Sequence, residues 1–226
     1  MTHCNIFSEE DTLLINAQGL HGYSIKELAY SISKPLPVCL KNNKGFIGIL
    51  IESLLGVITN NRISPDFCEL NIELKTIPIC SEGYPLENTF ICYVPLFKNI
   101  GLTWESSYIY KKIRKILWIP IQGSRNSEFF NKKVGHAFIW SPSILEDNYL
   151  KKDWEEFMDY IILGKVNKIK SQYGSVLQVK KKSKRNVLTK YINEYGKISL
   201  TVPRAFYFRK KFTYSLLKNA FYKKFL

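Results

Sequence analysis

The sequence is short of the residues that build soft-metal sites and disulfide frameworks. Its 226 residues include five cysteines, Cys4, Cys39, Cys68, Cys80 and Cys92, an odd number with no C-x-x-C pair. That pattern excludes a zinc knuckle and a stapled secreted scaffold, and it fits reduced, cytosolic usage. The three histidines, His3, His21 and His136, stand far apart in the chain, so neither a histidine metal site nor a Ser-His-Asp triad is supported. Long apolar runs are missing too. The most apolar stretch, Gly45 to Ile58, is interrupted by Glu52 and too short to span a bilayer. The N-terminus lacks a basic-then-apolar targeting pattern, so a soluble intracellular protein without a membrane partner is expected.

Acidic residues are nearly missing from one part of the chain. Overall there are 33 Lys and Arg against 19 Asp and Glu, a net charge of +14. From Lys165 to Leu226 there are 17 Lys or Arg and one acid, Glu194, so this segment carries +16 and the preceding 164 residues about −2. Lysines and arginines gathered in this way suit a polyanion, because displacing condensed counterions adds affinity. What the chain has in quantity is apolar and aromatic material: 46% hydrophobic residues, with 14 Tyr, 14 Phe and 4 Trp. That suffices for a core and argues against global disorder. One domain over 1–226 is expected, with a lobe boundary near 164 and a basic C-terminal lobe, 165–226.

Periodicity predicts a mixed architecture. Ser24 to Glu27 has capping-box spacing ahead of helical apolar positions. Phe46 to Leu55 is apolar nearly all round, which predicts a buried helix carrying one acid, Glu52. Leu70, Ile72 and Leu74 alternate with Asn71, Glu73 and Lys75, which predicts a strand with one face in the core. Further strands are expected at Thr89–Val94, Ile116–Ile121, up to Val179, and through Pro203–Phe208. Helices are expected around Glu105–Lys115, at Ile144–Leu163, near Asn186–Asn193, and at the end. Strands and helices mix without strict alternation or internal repeat, so the class is α/β or α+β, with α/β, a mixed sheet with flanking helices, as the expectation.

One constellation suggests chemistry. Phosphodiester hydrolysis needs a divalent cation, a positioned water and stabilisation of developing charge. Hard cations such as Mg²⁺ take oxygen ligands, commonly one or two carboxylates with water and substrate. Glu73 and Lys75, two apart on a strand, project from one face about 7 Å apart. Asp66, just after a proline, can converge from the adjacent turn, and the Leu74 carbonyl between the two side chains can complete a metal shell. The E-x-K triplet occurs once in the chain. Upstream, Glu52 on its apolar helix calls for a partner, since a buried acid is costly unless paired or near a metal.

The blocks around these residues resemble a known family. Lys44-Gly45-Phe46-Ile47-Gly48, Leu50-Ile51-Glu52, and Asp66 through Glu73-Leu74-Lys75-Thr76-Ile77-Pro78 are similar to the MutH family of methyl-directed mismatch repair endonucleases. The similarity continues, in order, through Pro85 to Phe90, Thr103-Trp104-Glu105, Leu117-Trp118-Ile119-Pro120, Asp153-Trp154-Glu155-Glu156 and Pro203 to Tyr207. It thus covers nearly the whole chain.

The resemblance implies a fold like that of type II restriction endonucleases, two lobes forming a DNA cleft. It implies Mg²⁺-dependent incision of the unmethylated strand, 5′ of the G, at hemimethylated GATC in double-stranded DNA. A monomer stimulated by MutL, and indirectly by MutS, is expected in the bacterial cytoplasm. Carried over residue by residue, Asp66 and Glu73 are metal ligands, Lys75 positions water and Glu52 is an accessory acid. Lys112 matches a lysine near the scissile phosphate. Lys44 and Gly45 match a loop that approaches bases, Phe90 an aromatic that meets DNA, and Tyr207 a tyrosine that senses adenine methylation. Alternation of Tyr207 with Phe206 and Phe208 leaves its facing open. Lys180 stands where the family has arginine, keeping the charge but not the bidentate fork. The run from Lys180 through Lys182 to Arg185 reads as phosphate-contacting. A restriction enzyme cutting both strands, and a basic nucleic-acid binder without catalysis, are the competing functions.

Overall fold

The computed structural model describes residues 8–37, 45–57, 64–123, 129–182 and 187–222. In chain order the elements are α1 (Glu9–Gly19), α2 (Ile25–Ser31), α3 (Phe46–Leu54), β1 (Glu73–Ile79), β2 (Thr89–Tyr93), α4 (Tyr108–Ile113), β3 (Ile116–Gln122), β4 (Lys133–Val134), β5 (Phe138–Trp140), α5 (Ile144–Ile162), β6 (Leu177–Lys181), β7 (Thr189–Ile192), β8 (Ile198–Thr201), β9 (Arg204–Phe208) and α6 (Lys210–Tyr222). This is a mixed α/β protein. None of the described helices is long and apolar enough to cross a membrane.

The chain divides into two compact units that each draw on separate stretches. The first comprises the described residues within Met1–Glu87, Lys115–Ser141 and Ala220–Leu226, the second those within Asn88–Arg114 and Pro142–Asn219. This division and the change in charge do not coincide, because Gly164 lies inside the second unit. Charge is carried by surface side chains, whereas a unit is defined by which apolar faces pack together.

In the first unit β1 runs parallel to β3, and β3 pairs antiparallel with β4 and β5. Ile72, Leu74, Leu117, Ile119 and Ile121 of this sheet region meet Leu13, Ile25, Leu28, Leu50 and Ile51 of the helices in one core. The first two helices start as the sequence predicts. Ser8 and Ser24 each accept from the third helical amide, and Asp11 and Glu27 reach back, closing two capping boxes. Two expectations change here. The α3 helix is buried on one side only: Leu50 and Ile51 are fully buried but Ile49 is 54% exposed. The strand expected from Leu70 begins at Glu73, because Asn71 adopts φ 54°, outside the extended region of a regular strand.

In the second unit β9 lies between β2 and β6, antiparallel to both. One face of this sheet is closed by Phe206 and Phe208, with Phe206 packed on Phe157 of α5 at a centroid distance of 6.4 Å. The α4 helix covers Tyr108–Ile113, shorter than the expected span, because Ser107 caps it by accepting from the Tyr110 amide. The helix expected near Asn186–Asn193 is a strand, β7, paired with β8; Asn186 itself lies outside the described residues. Thr189, Tyr191 and Ile192 favour strand, and the Asn193–Gly196 turn enforces the hairpin. There Asn193 accepts from the Tyr195 and Lys197 amides at 3.0 Å each, and Gly196 supplies φ 72°.

A clamped loop sets where β6 begins. Asp153 of α5, only 3% exposed, accepts from the amides of Ser175, Val176 and Leu177 and from the Ser175 hydroxyl. From the other side Arg209, directly after β9, donates to the carbonyls of Ser171, Tyr173, Gly174 and Leu177 at 2.6–3.1 Å. The acid takes three of the loop's amide donors and the guanidinium four of its carbonyl acceptors, so the turn is held from both sides.

Candidate functional site

The acidic cluster is built by a tight hairpin immediately before β1. The Phe67 amide donates to the Ile72 carbonyl at 2.9 Å and the Ile72 amide returns to Phe67 at 3.1 Å. Between them the Asn71 amide closes a turn onto Cys68, with Asn71 in the left-handed region. Asparagine tolerates this conformation, where most side chains meet the following carbonyl. The fold-back brings Asp66 alongside β1, and its Oδ2 accepts from the Leu74 amide at 2.8 Å. Asn71→Val is expected to cost about 1–2 kcal/mol, since a β-branched residue resists positive φ, while Asn71→Gly should be tolerated. Urea denaturation of both variants tests this; equal losses would remove the turn conformation as the cause.

On β1, alternation places Glu73 and Lys75 together, as expected. Lys75 Nζ lies 2.5 Å from Glu73 Oε1, with the Glu73 side chain 4% and the Lys75 side chain 14% exposed. The Glu73 amide donates to the Lys115 carbonyl at 3.0 Å, fixing the strand start against the segment leading into β3.

Glu52, half-buried on α3, belongs to the same cluster. Burial pushes its carboxyl above the ordinary carboxylate range, and the charges of Asp66 and Glu73 push the same way; Lys75 and Lys34 partly offset them. Lys34 drew no notice in the sequence. It ties the loop after α2 to α3, donating to Ser53 Oγ at 3.0 Å and to the Ile49 carbonyl at 3.4 Å. A raised carboxyl pKa means that ionised Glu52 opposes folding above that pKa and ceases to do so as pH falls through it. Glu52→Gln is therefore expected to raise the melting temperature in metal-free buffer at about pH 8 and to change it little at about pH 4. Thermal melts at both pH values decide this; an equal gain at both would contradict it.

The donor set fits a hard cation. Among the described residues no group of three or more His, Cys, Asp and Glu is arranged to hold a metal ion by itself. Asp66 and Glu73 offer two carboxylates, and the mutual repulsion registered at Glu52 is negative charge that a cation would relieve. Two carboxylates plus the Leu74 carbonyl, with water and substrate completing the shell, is the kind of site Mg²⁺ accepts.

The second unit carries a different cluster. The open face of its sheet holds Phe90 opposite Tyr207, and Gln178 opposite Tyr207 from the other side. Phe90 and Tyr207 meet edge to face at 5.7 Å. Tyr207 thus lies on the open face, while Phe206 and Phe208 are 1% and 0% exposed in the core. Lys182 Nζ sits 3.0 Å from the Phe90 ring centroid, and Lys180 Nζ 5.7 Å from that of Tyr207. All four residues named for DNA contact on this sheet therefore share one surface of rings and ammonium groups.

The remaining expected residues are described each within its own unit. Gly45, at the start of α3, lines a cavity of about 520 Å³ with Ile47, Thr76, Pro78 and Lys132. A Cβ at Gly45 would meet only Ile49 Cδ1 at 3.9 Å, so internal packing does not require glycine there. Lys112 is 7% exposed on α4 in the second unit, buried where its neighbour Lys111 is exposed. Lys44 and the 183–185 part of the basic run lie outside the described residues.

Comparison with known proteins places the chain in a family. The family model described as DNA mismatch repair enzyme MutH matches residues 55–153, a segment holding Asp66, Glu73, Lys75, Phe90 and Lys112. The DNA mismatch repair protein MutH of Buchnera aphidicola subsp. Baizongia pistaciae is 54% identical over 211 residues, covering 92% of this chain and 96% of that protein. Its counterpart in Pectobacterium atrosepticum is 46% identical, covering 94% of this chain and 92% of that one. The one in Yersinia pestis (strain Pestoides F) is 42% identical, covering 95% and 94%. Identity at this level along nearly the full length of both partners leaves one assignment: the chain belongs to the MutH family of DNA mismatch repair enzymes.

Proposed function

We propose that this chain is a Mg²⁺-dependent endonuclease that nicks one strand of duplex DNA. The observation that carries the reading is the convergence of Asp66, Glu73 and Lys75 at the start of β1, beside Glu52. Asp66, Glu73 and the Leu74 carbonyl would hold the cation, which when bound polarises the phosphate and acidifies a coordinated water. Lys75 has three donors and no acceptor in its charged form, so it orients the attacking water and offsets charge on the phosphate as the bond breaks. Glu52, whose carboxyl pKa is raised first by burial and then by the charges of Asp66 and Glu73, serves as the accessory acid of the cluster.

The finer reading follows the family resemblance. The substrate is hemimethylated GATC, the unmethylated strand is cut 5′ of the G, and a MutL-type partner, itself directed by MutS, activates a monomer in the bacterial cytoplasm. The restriction-endonuclease-like cleft belongs to the same proposal, with the acid cluster cutting and the lysine–aromatic face, Lys44, Gly45 and Lys112 contacting DNA. Lys112 would meet the phosphate to be cut. Tyr207 on the open sheet face supports its role beside the adenine methyl position, and Lys180 keeps the positive charge of the family arginine there.

The test is incubation of unmethylated, hemimethylated and fully methylated GATC duplexes with Mg²⁺ and a MutL-type protein. Single-strand nicks in the first two and none in the third are expected. Linear product without the partner protein would favour a restriction enzyme, and binding without any cleavage a non-catalytic binder.

A further inference from the structure

Phe90 and Tyr93 are three residues apart, and on a regular strand they would point to opposite faces. β2 is not regular. Its pairing with β9 runs Thr89 to Phe208 and Phe90 to Tyr207, then Cys92 to Phe206 and Tyr93 to Ala205, with the register shifting between Phe90 and Cys92. Ile91 is the extra residue of a bulge, which reverses the parity of everything after it. Tyr93 therefore sits opposite Ala205, two residues from Tyr207, on the face that carries Phe90.

The consequence is a third ring in the cluster. Tyr93 meets Phe90 edge to face at 5.7 Å and 72°, mirroring Tyr207 at 5.7 Å and 71°. The Lys182 ammonium, 3.0 Å from the Phe90 centroid, is 5.8 Å from both tyrosine rings. Tyr93 is 52% exposed, so the core gives no reason for an aromatic here, and a strand end without the bulge would have turned it away.

We propose that Tyr93 is a positioning residue for DNA recognition. Its ring fixes the Phe90 rotamer and completes the three-ring nest that aims the Lys182 ammonium. This rests on the reading of Phe90, Lys182 and Tyr207 as a DNA-facing surface. A cation held over rings keeps its charge available to the nucleic acid while losing rotamer freedom before binding, which lowers the ordering cost on contact. The ring, and not the hydroxyl, does this work.

The experiment is fluorescence anisotropy of a GATC duplex in Ca²⁺, together with single-turnover nicking at saturating DNA in Mg²⁺ and the MutL-type partner. Tyr93→Leu is expected to raise Kd about 5- to 20-fold with the saturated rate within about twofold of the parent, and Tyr93→Phe to restore the parent Kd. Tyr93→Leu and Lys182→Met together should weaken binding less than the product of the two single effects, because both disable one unit. An unchanged Kd for Tyr93→Leu, a Tyr93→Phe variant as weak as Tyr93→Leu, or independent effects in the double variant would overturn the proposal. Should Lys182→Met itself leave Kd unchanged, the DNA-facing reading of the whole surface falls, and the inference with it.

Discussion

Asp66→Asn is expected to slow nicking of a GATC duplex by about 10³-fold or more while DNA affinity measured in Ca²⁺ stays within about threefold. Asparagine is the informative replacement. It keeps an oxygen in place to accept from the Leu74 amide, a bond of 2.8 Å, so the hairpin that delivers residue 66 is retained. What it removes is the negative charge, and a hard cation held by two carboxylates depends on both. Asp66→Ala would confound the two, because the Leu74 amide would lose its acceptor as well. The rate is to be read in a single turnover, so that product release does not mask the chemical step. A loss smaller than about tenfold would take Asp66 out of the metal site.

The second large effect concerns stability. Asp153→Ala is expected to destabilise the protein by about 3–5 kcal/mol, as buried charged groups do when one partner is deleted. Asp153 accepts from the Ser175, Val176 and Leu177 amides and the Ser175 hydroxyl while 3% exposed, so truncation removes four hydrogen bonds at once and strands the buried Leu177 amide. At roughly 2–4 °C per kcal/mol for a chain of this length, the melting temperature should fall by about 6–20 °C. The loop has no slack to absorb the change. Gly174 within it has φ 80°, and a Cβ there would stand 2.5 Å from the Leu177 carbonyl oxygen. Calorimetry reads the result, and a fall below about 3 °C would show that the loop is held by Arg209 and packing alone. Asp153→Asn should lie between, since one oxygen still accepts while the new amide donors face other donors.

Much of the candidate acidic site was legible because its spacing is short. Glu73 and Lys75 needed only strand alternation to be placed side by side, and an acid on the apolar α3 pattern marked Glu52. Asp66 was legible as a residue but not as a geometry: its approach depends on a hairpin whose hinge, Asn71 at positive φ, also cut short the strand that alternation had predicted. The helix expected near Asn186–Asn193 failed for the complementary reason. A few polar and apolar residues at helical spacing were outweighed by turn chemistry at Asn193 and Gly196, which pairs β7 with β8.

The lysine–aromatic face was only half legible. Tyr207 alternates with two phenylalanines, and burial of Phe206 and Phe208 on α5 and α6, not the pattern itself, decides which way it points. Tyr93 gave no signal, since a bulge is a property of pairing between two strands and neither strand alone records it. The clamp formed by Asp153 and Arg209 was hidden likewise: its partners are backbone groups, which look the same in every sequence. The charge excess after Gly164 correctly marked basic material but not a structural boundary, because strands from either side of it, β2, β6 and β9, build a single sheet.

The central claim is that positions 66 and 73 grip one divalent cation next to a backbone phosphate, with the lysine two residues on reaching the same oxygen atoms. A crystal structure with uncleaved GATC duplex and Ca²⁺ tests it most directly. The account predicts a cation ligated by both carboxylates, the carbonyl of residue 74 and a non-bridging phosphate oxygen. A cation bound elsewhere, or a phosphate that approaches neither acid, would contradict it.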